Sequence, residues 1–290
     1  MANGKKGKIL LILIPVVLIF IISMFLSLKG NIDINISESA LIVSILKVGK
    51  ADAIILRSGD HTMVIDTGED DDGDEVAEFL SDRGIDNVEV LLITHFDKDH
   101  VGGADILVKK TAVQRILIPD YENDNKEYKE FMDTLHDRSL TPERVNEDME
   151  FAFGDCSVCV EPPESFEING KEEDPDNDLS LITTVKCGDT SFLFMADAEE
   201  KRIAEYLDRH RGEQHQFIKL PHHGRYKDNL GDLLDSVKPL CSVSCTSDKN
   251  PMEKETAALL KDRGIVSLET RDGDITVESN GKEISWHSQN

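Results

Sequence analysis

The chain has 290 residues, of which 57 are acidic and 32 are basic, so its formal net charge at pH 7 is −25. This charge opposes long-range attraction to nucleic acid and to anionic lipid, and it argues against a non-specific polyanion-binding protein. With 39% hydrophobic and 31% charged residues, the composition is that of a globular protein with room for one large α/β domain or two smaller ones.

An uncharged apolar segment occupies residues 9–28. Twenty residues at about 1.5 Å each span the roughly 30 Å hydrocarbon core, which predicts a transmembrane anchor between a short N-terminus (residues 1–8) and a linker (residues 29–39). Three lysines precede the segment and one follows closely. The positive-inside rule therefore predicts a single-pass membrane protein with a cytoplasmic N-terminus and an extracytoplasmic domain. A cleavable signal peptide is the alternative, but no small-x-small cleavage site follows the segment.

From residue 40 to residue 290, apolar runs alternate with amphipathic patterns, which predicts one α/β domain. Strands are predicted at residues 41–46, 53–56, 63–65, 88–93, 116–118, 151–161, 181–185, 192–195, 217–220, 240–243 and 265–268. Helices are predicted at residues 74–83, 104–110, 126–138, 199–209, 229–236 and 254–263.

Two segments of the chain look alike. Residues 59–66 and 188–197 each contain a hairpin turn, an apolar strand and a terminal aspartate, and an acidic helix follows each of them. The repetition predicts a duplicated half, and hence two sheets packed face to face with helices on the outside.

Residues 94–103, Thr-His-Phe-Asp-Lys-Asp-His-Val-Gly-Gly, follow a predicted buried strand directly. Four potential metal ligands lie within six of these residues: His95, Asp97, Asp99 and His100. A loop at the end of a strand can direct imidazoles and carboxylates into one cleft, as a binuclear metal centre requires. A polar turn facing water is the alternative, but two His and two Asp at this spacing favour a metal site. The paired glycines predict a tight turn into the next helix.

Later features supply further ligands. Asp66 and Asp197 each end a strand of the repeated unit, and His222 and His223 lie in a Pro-His-His-Gly sequence after a predicted strand. Carboxylates and imidazoles that converge from separate strands are expected at a two-metal site. A pair of surface histidines is the alternative for His222 and His223.

These motifs, together with residues 46–53 and 177–181, resemble the metallo-β-lactamase superfamily in order and spacing. Within it, the chain is most similar to the hydrolase domains of DNA-uptake competence proteins. The resemblance covers residues 40–286 and implies a four-layer αββα sandwich of the α/β class, with the site at one edge.

By position, the resemblance implies the following ligands: His95 and Asp97 for one metal, Asp99 and His100 for the second, Asp197 as a bridge, and His222 or His223 as one more. It also implies that Asp66 supports the ligands by hydrogen bonding. Asp97 stands where most members have His, which shifts the preference from zinc alone toward manganese or iron. The expected cofactors are two divalent metal ions, zinc or manganese.

The function expected from this resemblance is a membrane-anchored, metal-dependent hydrolase. A metal-bound hydroxide, its pKa lowered toward ~7, would attack the substrate, with Asp99 orienting or deprotonating the water. Either His223 or His222 would face the substrate, and the resemblance leaves open which of them does. Lys254 or Lys249 would stabilise developing charge. A phosphodiester or another small anionic substrate is expected, cleaved by a nuclease or a small phosphodiesterase. Nucleic acid is possible as a partner but is disfavoured by the acidic surface.

Two expected histidines are missing, which leaves a second hypothesis open. Between the first motif and Asp197 the only histidine is His136, in a predicted helix, and residues 252–255 replace a late Gly-His-Pro. A binding or accessory protein with a weak site is therefore the alternative function. The remaining histidines, at positions 61, 210, 215 and 287, are expected to face solvent.

The five cysteines are expected to be mainly packing residues. Cys156 and Cys159 have an odd separation on a predicted strand, which places them on opposite faces as ordinary thiols. Cys241 and Cys245 share a face of a later strand.

Overall fold

The computed structural model describes residues 40–166 and 176–289. The apolar segment at residues 9–28 and the predicted linker lie outside these residues. Across the described ranges, no helix is both long enough and apolar enough to cross a membrane. The predicted single-pass membrane localisation is therefore not supported by the described residues.

Fifteen strands are present in the described residues. They are β1 (Leu41–Ile45), β2 (Ala53–Ser58), β3 (His61–Thr67), β4 (Asn87–Leu92), β5 (Ala112–Pro119), β6 (Glu143–Val145), β7 (Met149–Phe153), β8 (Cys156–Glu161), β9 (Ile182–Cys187), β10 (Thr190–Phe194), β11 (Phe217–Lys219), β12 (Cys241–Ser244), β13 (Val266–Glu269), β14 (Asp274–Ser279) and β15 (Ile284–Gln289). One sheet has the order β15-β14-β1-β2-β3-β4-β5-β6, and the other has the order β13-β12-β11-β10-β9-β8-β7.

The helices of the described residues are α1 (Asp72–Asp82), α2 (Lys98–Val101), α3 (Ala104–Lys110), α4 (Lys126–Asp137), α5 (Glu200–Arg209), α6 (Leu230–Val237) and α7 (Lys254–Asp262). Six of them match the predicted helices to within two residues at each end. The one-turn helix α2 was not predicted, because four residues are too few to show a helical period.

Three apolar clusters define the layers. Side chains from both sheets, such as Val43 and Phe192, form the cluster between the sheets. A second cluster joins the outer face of the first sheet to α1, α3 and α4, and a third joins the second sheet to α5, α6 and α7. Each sheet is therefore covered by helices on one face and by the other sheet on the other. The predicted α/β sandwich with two packed sheets is confirmed.

The hairpin β7–β8 corrects the single strand predicted at residues 151–161. Gly154 has a φ of +56° and turns the chain between the two strands. Cys156 and Cys159 do lie on opposite faces of β8, but Cys156 forms a disulfide with Cys187, where the sequence predicted ordinary thiols. The pairing joins β8 to its neighbour β9, a contact that residue spacing alone does not reveal.

Parallel pairing positions the candidate site. Strand β3 is parallel to β4 in one sheet, and β10 is parallel to β11 in the other. Because parallel strands end at the same edge of a sheet, the segments after these four strands emerge together. The predicted ligands follow these strands, and the repeated hairpins β2–β3 and β9–β10 place Asp66 and Asp197 in corresponding positions.

Candidate metal centre

Asp66 anchors one side of the site from a fully buried position. Its Oδ1 accepts a hydrogen bond from the Thr94 amide at 2.8 Å, and its Oδ2 accepts from Thr94 Oγ1 at 2.7 Å. The same Oδ2 lies 2.8 Å from His100 Nδ1. An ionised carboxylate can only accept, so His100 donates its Nδ1 proton to Asp66 and directs Nε2 into the cleft.

Thr94 fixes the position of the ring proton of His95 in the same way. Its hydroxyl proton is engaged by Asp66, so the hydroxyl oxygen accepts from His95 Nδ1, which lies 3.0 Å away. His95 therefore presents an unprotonated Nε2. Burial lowers the pKa of His95 well below its usual value, which keeps this imidazole neutral and able to donate its lone pair.

The one-turn helix α2 holds Asp99 and His100, and Asp97 precedes it in extended conformation. Asp97 Oδ2 lies 3.8 Å from His95 Nε2. Asp99 Oδ2 lies 3.2 Å from Lys50 Nζ and 3.5 Å from His223 Nε2. Burial alone would raise the pKa of Asp99, but the neighbouring imidazoles of His223 and His100 hold it below its usual range.

The paired glycines act differently from the predicted tight turn. Gly102 and Gly103 both have negative φ values. A Cβ on Gly103 would lie 2.4 Å from Gly73 N and 2.5 Å from Thr67 O. Glycine is needed here because the start of α1 packs directly against this backbone, which holds the ligand-bearing segment against the edge of the sheet.

Asp197 comes from the opposite sheet and reaches both histidines. Its Oδ1 lies 3.3 Å from His100 Nε2, and its Oδ2 lies 3.1 Å from His223 Nε2. Burial would raise the pKa of Asp197, but the charges of His223 and His100 outweigh burial and lower it well below its usual value. Its two oxygens face different imidazoles, which is the arrangement expected of a bridging carboxylate.

His222 and His223 stand in a strained turn after β11. Their φ values are 42° and 53°, in the left-handed region that residues with a Cβ rarely adopt. Strain of this kind clusters at functional sites, where the surrounding structure enforces it. The following Gly224 has a φ of +80°, and a Cβ there would lie 2.6 Å from Ser244 Oγ.

The structure separates the surroundings of the two histidines. His223 faces Asp99 and Asp197, as described above. His222 Nδ1 contacts the carboxylate of Glu199, which also contacts Lys227 Nζ, and His222 Nε2 lies 3.8 Å from Asp197 Oδ2. Glu199 and Lys227 were missed by the sequence analysis, because neither belongs to a motif.

Several buried polar atoms at this site form no hydrogen bond with residues 40–166 or 176–289. They are His95 Nε2, His100 Nε2, both ring nitrogens of His223 and Asp197 Oδ1. An unsatisfied buried polar group costs about 1–3 kcal/mol, so several in one place indicate a missing partner. Three sets of potential ligands each have their ligand atoms within 4.8 Å of one another: His95, His100 and Asp197; Asp99, His100 and His223; and Asp52, Asp66 and His100. This donor set of imidazoles and carboxylates fits divalent metal ions.

A buried ion pair behind the ligands was missed by the sequence analysis. Lys219 is fully buried, and its Nζ contacts the Asp52 carboxylate, donates to Ala196 O at 3.0 Å and lies 3.6 Å from Asp197 Oδ1. Burial would lower the pKa of Lys219, but the charges of Asp52 and Asp197 raise it. A lysine inside an apolar strand was the available signal for this pair.

The other predicted residues lie farther from the ligands or away from them. Lys254 begins α7 with an exposed side chain, and Lys249 is exposed in the preceding loop. The His136 side chain is 90% exposed, as predicted. His215 corrects its prediction: it is only 1% exposed, with Nδ1 2.7 Å from Ser191 Oγ and Nε2 2.8 Å from Tyr206 Oη.

The model of the metallo-beta-lactamase superfamily matches residues 46–240. The chain belongs to this superfamily. It is 23% identical to ComE operon protein 3 of Bacillus subtilis over 172 residues, which are 59% of this chain and 22% of that protein. It is 24% identical to Recombination protein 2 of Haemophilus influenzae over 230 residues, which are 75% of this chain and 26% of that protein. The chain thus spans about a quarter of each relative, and the predicted resemblance to competence-type members is confirmed.

Solved structures share the fold at low sequence identity. The metallo-beta-lactamase fold protein YhfI of Bacillus subtilis has a TM-score of 0.52 and 8% identity, covering 79% of this chain and 95% of that one. A variant of the β-hydroxylase CmlA has a TM-score of 0.51 and 14% identity, covering 79% of this chain and 52% of that one. These similarities concern the fold alone.

Proposed function

We propose that this protein is a metal-dependent hydrolase that cleaves phosphodiesters. The proposal is carried by the convergence of two buried imidazole nitrogens, which have no hydrogen-bond partner among the described residues, on the two oxygens of Asp197. Such an arrangement is costly to maintain unless cations occupy it for part of the protein's working cycle.

In this proposal the ligands divide between two ions. His95, Asp97 and Asp197 would hold one ion, whereas Asp99, His100, His223 and Asp197 would hold the other. His222, whose Nε2 lies 3.8 Å from Asp197 Oδ2, would complete the first set in place of the histidine that the sequence lacks. Two divalent ions, zinc or manganese, would supply Lewis acidity and lower the pKa of water toward ~7 when bound.

The chain's own residues orient the reactants and hold the protons. Asp66 and Thr94 keep the protons of His100 and His95 on Nδ1, so that Nε2 of each ring stays free. Asp99 accepts a proton from the attacking water as the water oxygen bonds to phosphorus and the phosphorus–oxygen bond to the leaving group breaks. Lys50, 3.2 Å from Asp99 Oδ2, orients that carboxylate. Lys254 remains a predicted source of positive charge for the leaving group.

The choice of a phosphodiester is supported by the similarity to ComE operon protein 3 and Recombination protein 2. The acidic surface, with a net charge of −25, favours small substrates over long polyanions, since long-range repulsion grows with the charge of the partner.

The proposal is tested by hydrolysis of bis-p-nitrophenyl phosphate with added manganese or zinc. Wild-type protein should release p-nitrophenol, and Asp99→Asn should lower the rate by at least about 100-fold. Asp105→Asn is the matched control, because Asp105 is a buried carboxylate of α3 that pairs with Lys109. Wild-type activity no higher than that of Asp99→Asn would refute phosphodiester hydrolysis.

Metal analysis separates the hydrolase from the accessory protein that the sequence left open. The hydrolase should retain close to two ions per chain after loading and desalting. Less than one ion per chain would favour a binding or accessory role on the same fold.

A further inference from the structure

A pocket of about 380 Å³ is lined by residues that take no part in the proposed hydrolysis. Its lining includes Lys47, Lys249 and Arg271, with Asp248 as the acidic member. Three cations against one anion are unusual in a chain with 57 acidic and 32 basic residues. The volume falls within the range of small-molecule sites.

The cations of this pocket are available to a ligand. Neither the Lys47 nor the Lys249 ammonium forms an ion pair with the described part of the chain. Arg271 is held from one side, with Nη2 2.8 Å from Glu269 Oε1. Its Nε is buried and has no hydrogen-bond partner among the described residues, so the guanidinium is oriented and still has a donor to offer.

Two residues of the pocket lining are next in the chain to residues near the candidate metal centre. On one wall, Gly49 is followed by Lys50, whose Nζ lies 3.2 Å from Asp99 Oδ2. On the other wall, Thr246 follows Cys245, whose thiol neighbours the Asp52 carboxylate. The lining of the pocket is therefore one residue along the chain from groups that contact Asp99 and Asp52.

We propose that this pocket is a subsite for a second phosphate group of the substrate, next to the phosphodiester that is cleaved. The inference rests on the proposed function and narrows its substrate class to phosphodiesters with a neighbouring phosphate. Arg271 and Lys249 bind the phosphate oxygens, and Lys47 adds positive charge at the rim. The acidic surface repels long polyanions, whereas the pocket selects a short substrate with two phosphates.

The test is equilibrium binding of two dinucleotides, pTpT and TpT, to the metal-free full-length chain. The two probes differ only in the terminal phosphate. Wild-type protein should bind pTpT about tenfold more tightly, because charged hydrogen bonds contribute about 1.5–3 kcal/mol each. The double variant Lys249→Ala, Arg271→Ala should bind the two probes equally. The control Lys261→Ala, Lys282→Ala removes the same charge from exposed positions outside the pocket and should keep the preference.

Equal binding of pTpT and TpT by the wild type would overturn the subsite. A preference that survives in the double variant would do the same, and so would a preference lost equally in the control. Because binding is measured without metal, the result does not depend on hydrolysis. A phosphate preference together with inactivity toward bis-p-nitrophenyl phosphate would support the subsite and refute the hydrolase.

Discussion

Replacing Thr94 by valine tests whether a single hydroxyl controls the metal-binding nitrogen of His95. Valine keeps the shape of threonine, so no cavity is formed, but the contacts to Asp66 Oδ2 at 2.7 Å and His95 Nδ1 at 3.0 Å are lost. Losing hydrogen bonds at a buried carboxylate should lower the free energy of unfolding by about 2–3 kcal/mol. Without its acceptor, His95 can rotate or change tautomer, which should weaken metal binding about 10- to 100-fold.

Two measurements check this prediction: urea denaturation of the metal-free protein, and metal titration against a competing chelating dye. Thr183→Val is the matched control, because Thr183 is fully buried in β9 and its hydroxyl has no hydrogen-bond partner among the described residues. This control should leave metal binding unchanged and should keep or raise the free energy of unfolding, because it removes an unsatisfied buried hydroxyl. If Thr94→Val binds metal within twofold of the wild type, the proposed control of His95 through Thr94 is wrong.

Two further predictions concern stability. Gly103→Ala would place a Cβ 2.4 Å from the backbone nitrogen of Gly73 and should lower the free energy of unfolding by about 1–3 kcal/mol. The control Gly231→Ala, in helix α6, should be neutral or stabilising. Equal denaturation midpoints for the two variants would contradict the close packing at Gly103. Burial lowers the pKa of His215 from 6.5 to about 4. Between these two pH values His215 is therefore protonated in the unfolded chain but neutral in the folded chain. The free energy of unfolding should therefore fall by up to about 3 kcal/mol as the pH decreases from 6.5 to 4. His215→Gln should show a smaller fall when urea denaturation is measured at pH 7, 5 and 4. An unchanged pH dependence in this variant would refute the role of His215.

The strands and helices near the site could be predicted because their signals are local. Apolar runs such as residues 88–93 and helical periods such as residues 126–138 depend on neighbouring residues alone, and β4 and α4 confirm them. The hairpin at Gly154, the edge strand β15 and its neighbour β14 were missed. The turn at Gly154 interrupts the alternation of apolar and polar residues on which strand prediction depends. In β14 and β15, polar residues weaken the same alternation.

The sequence by itself determined the chemistry of the candidate site. His95, Asp97, Asp99 and His100 lie in one short motif, and Asp66 and Asp197 end the two repeated strands, so residue type and spacing were enough to predict a metallo-hydrolase site. Only the tertiary structure decided which atoms face the cleft, because orientation depends on partners distant in the chain.

The Asp52–Lys219 ion pair, the contact of Glu199 with His222 and the buried place of His215 are all of that kind. So is the basic pocket, where residue 47 lies more than 200 positions before residues 249 and 271 in the chain but lines the same cavity. The order of residues along the chain specifies which ligating side chains are present in each motif. The packing of the two sheets specifies which of these side chains come into contact.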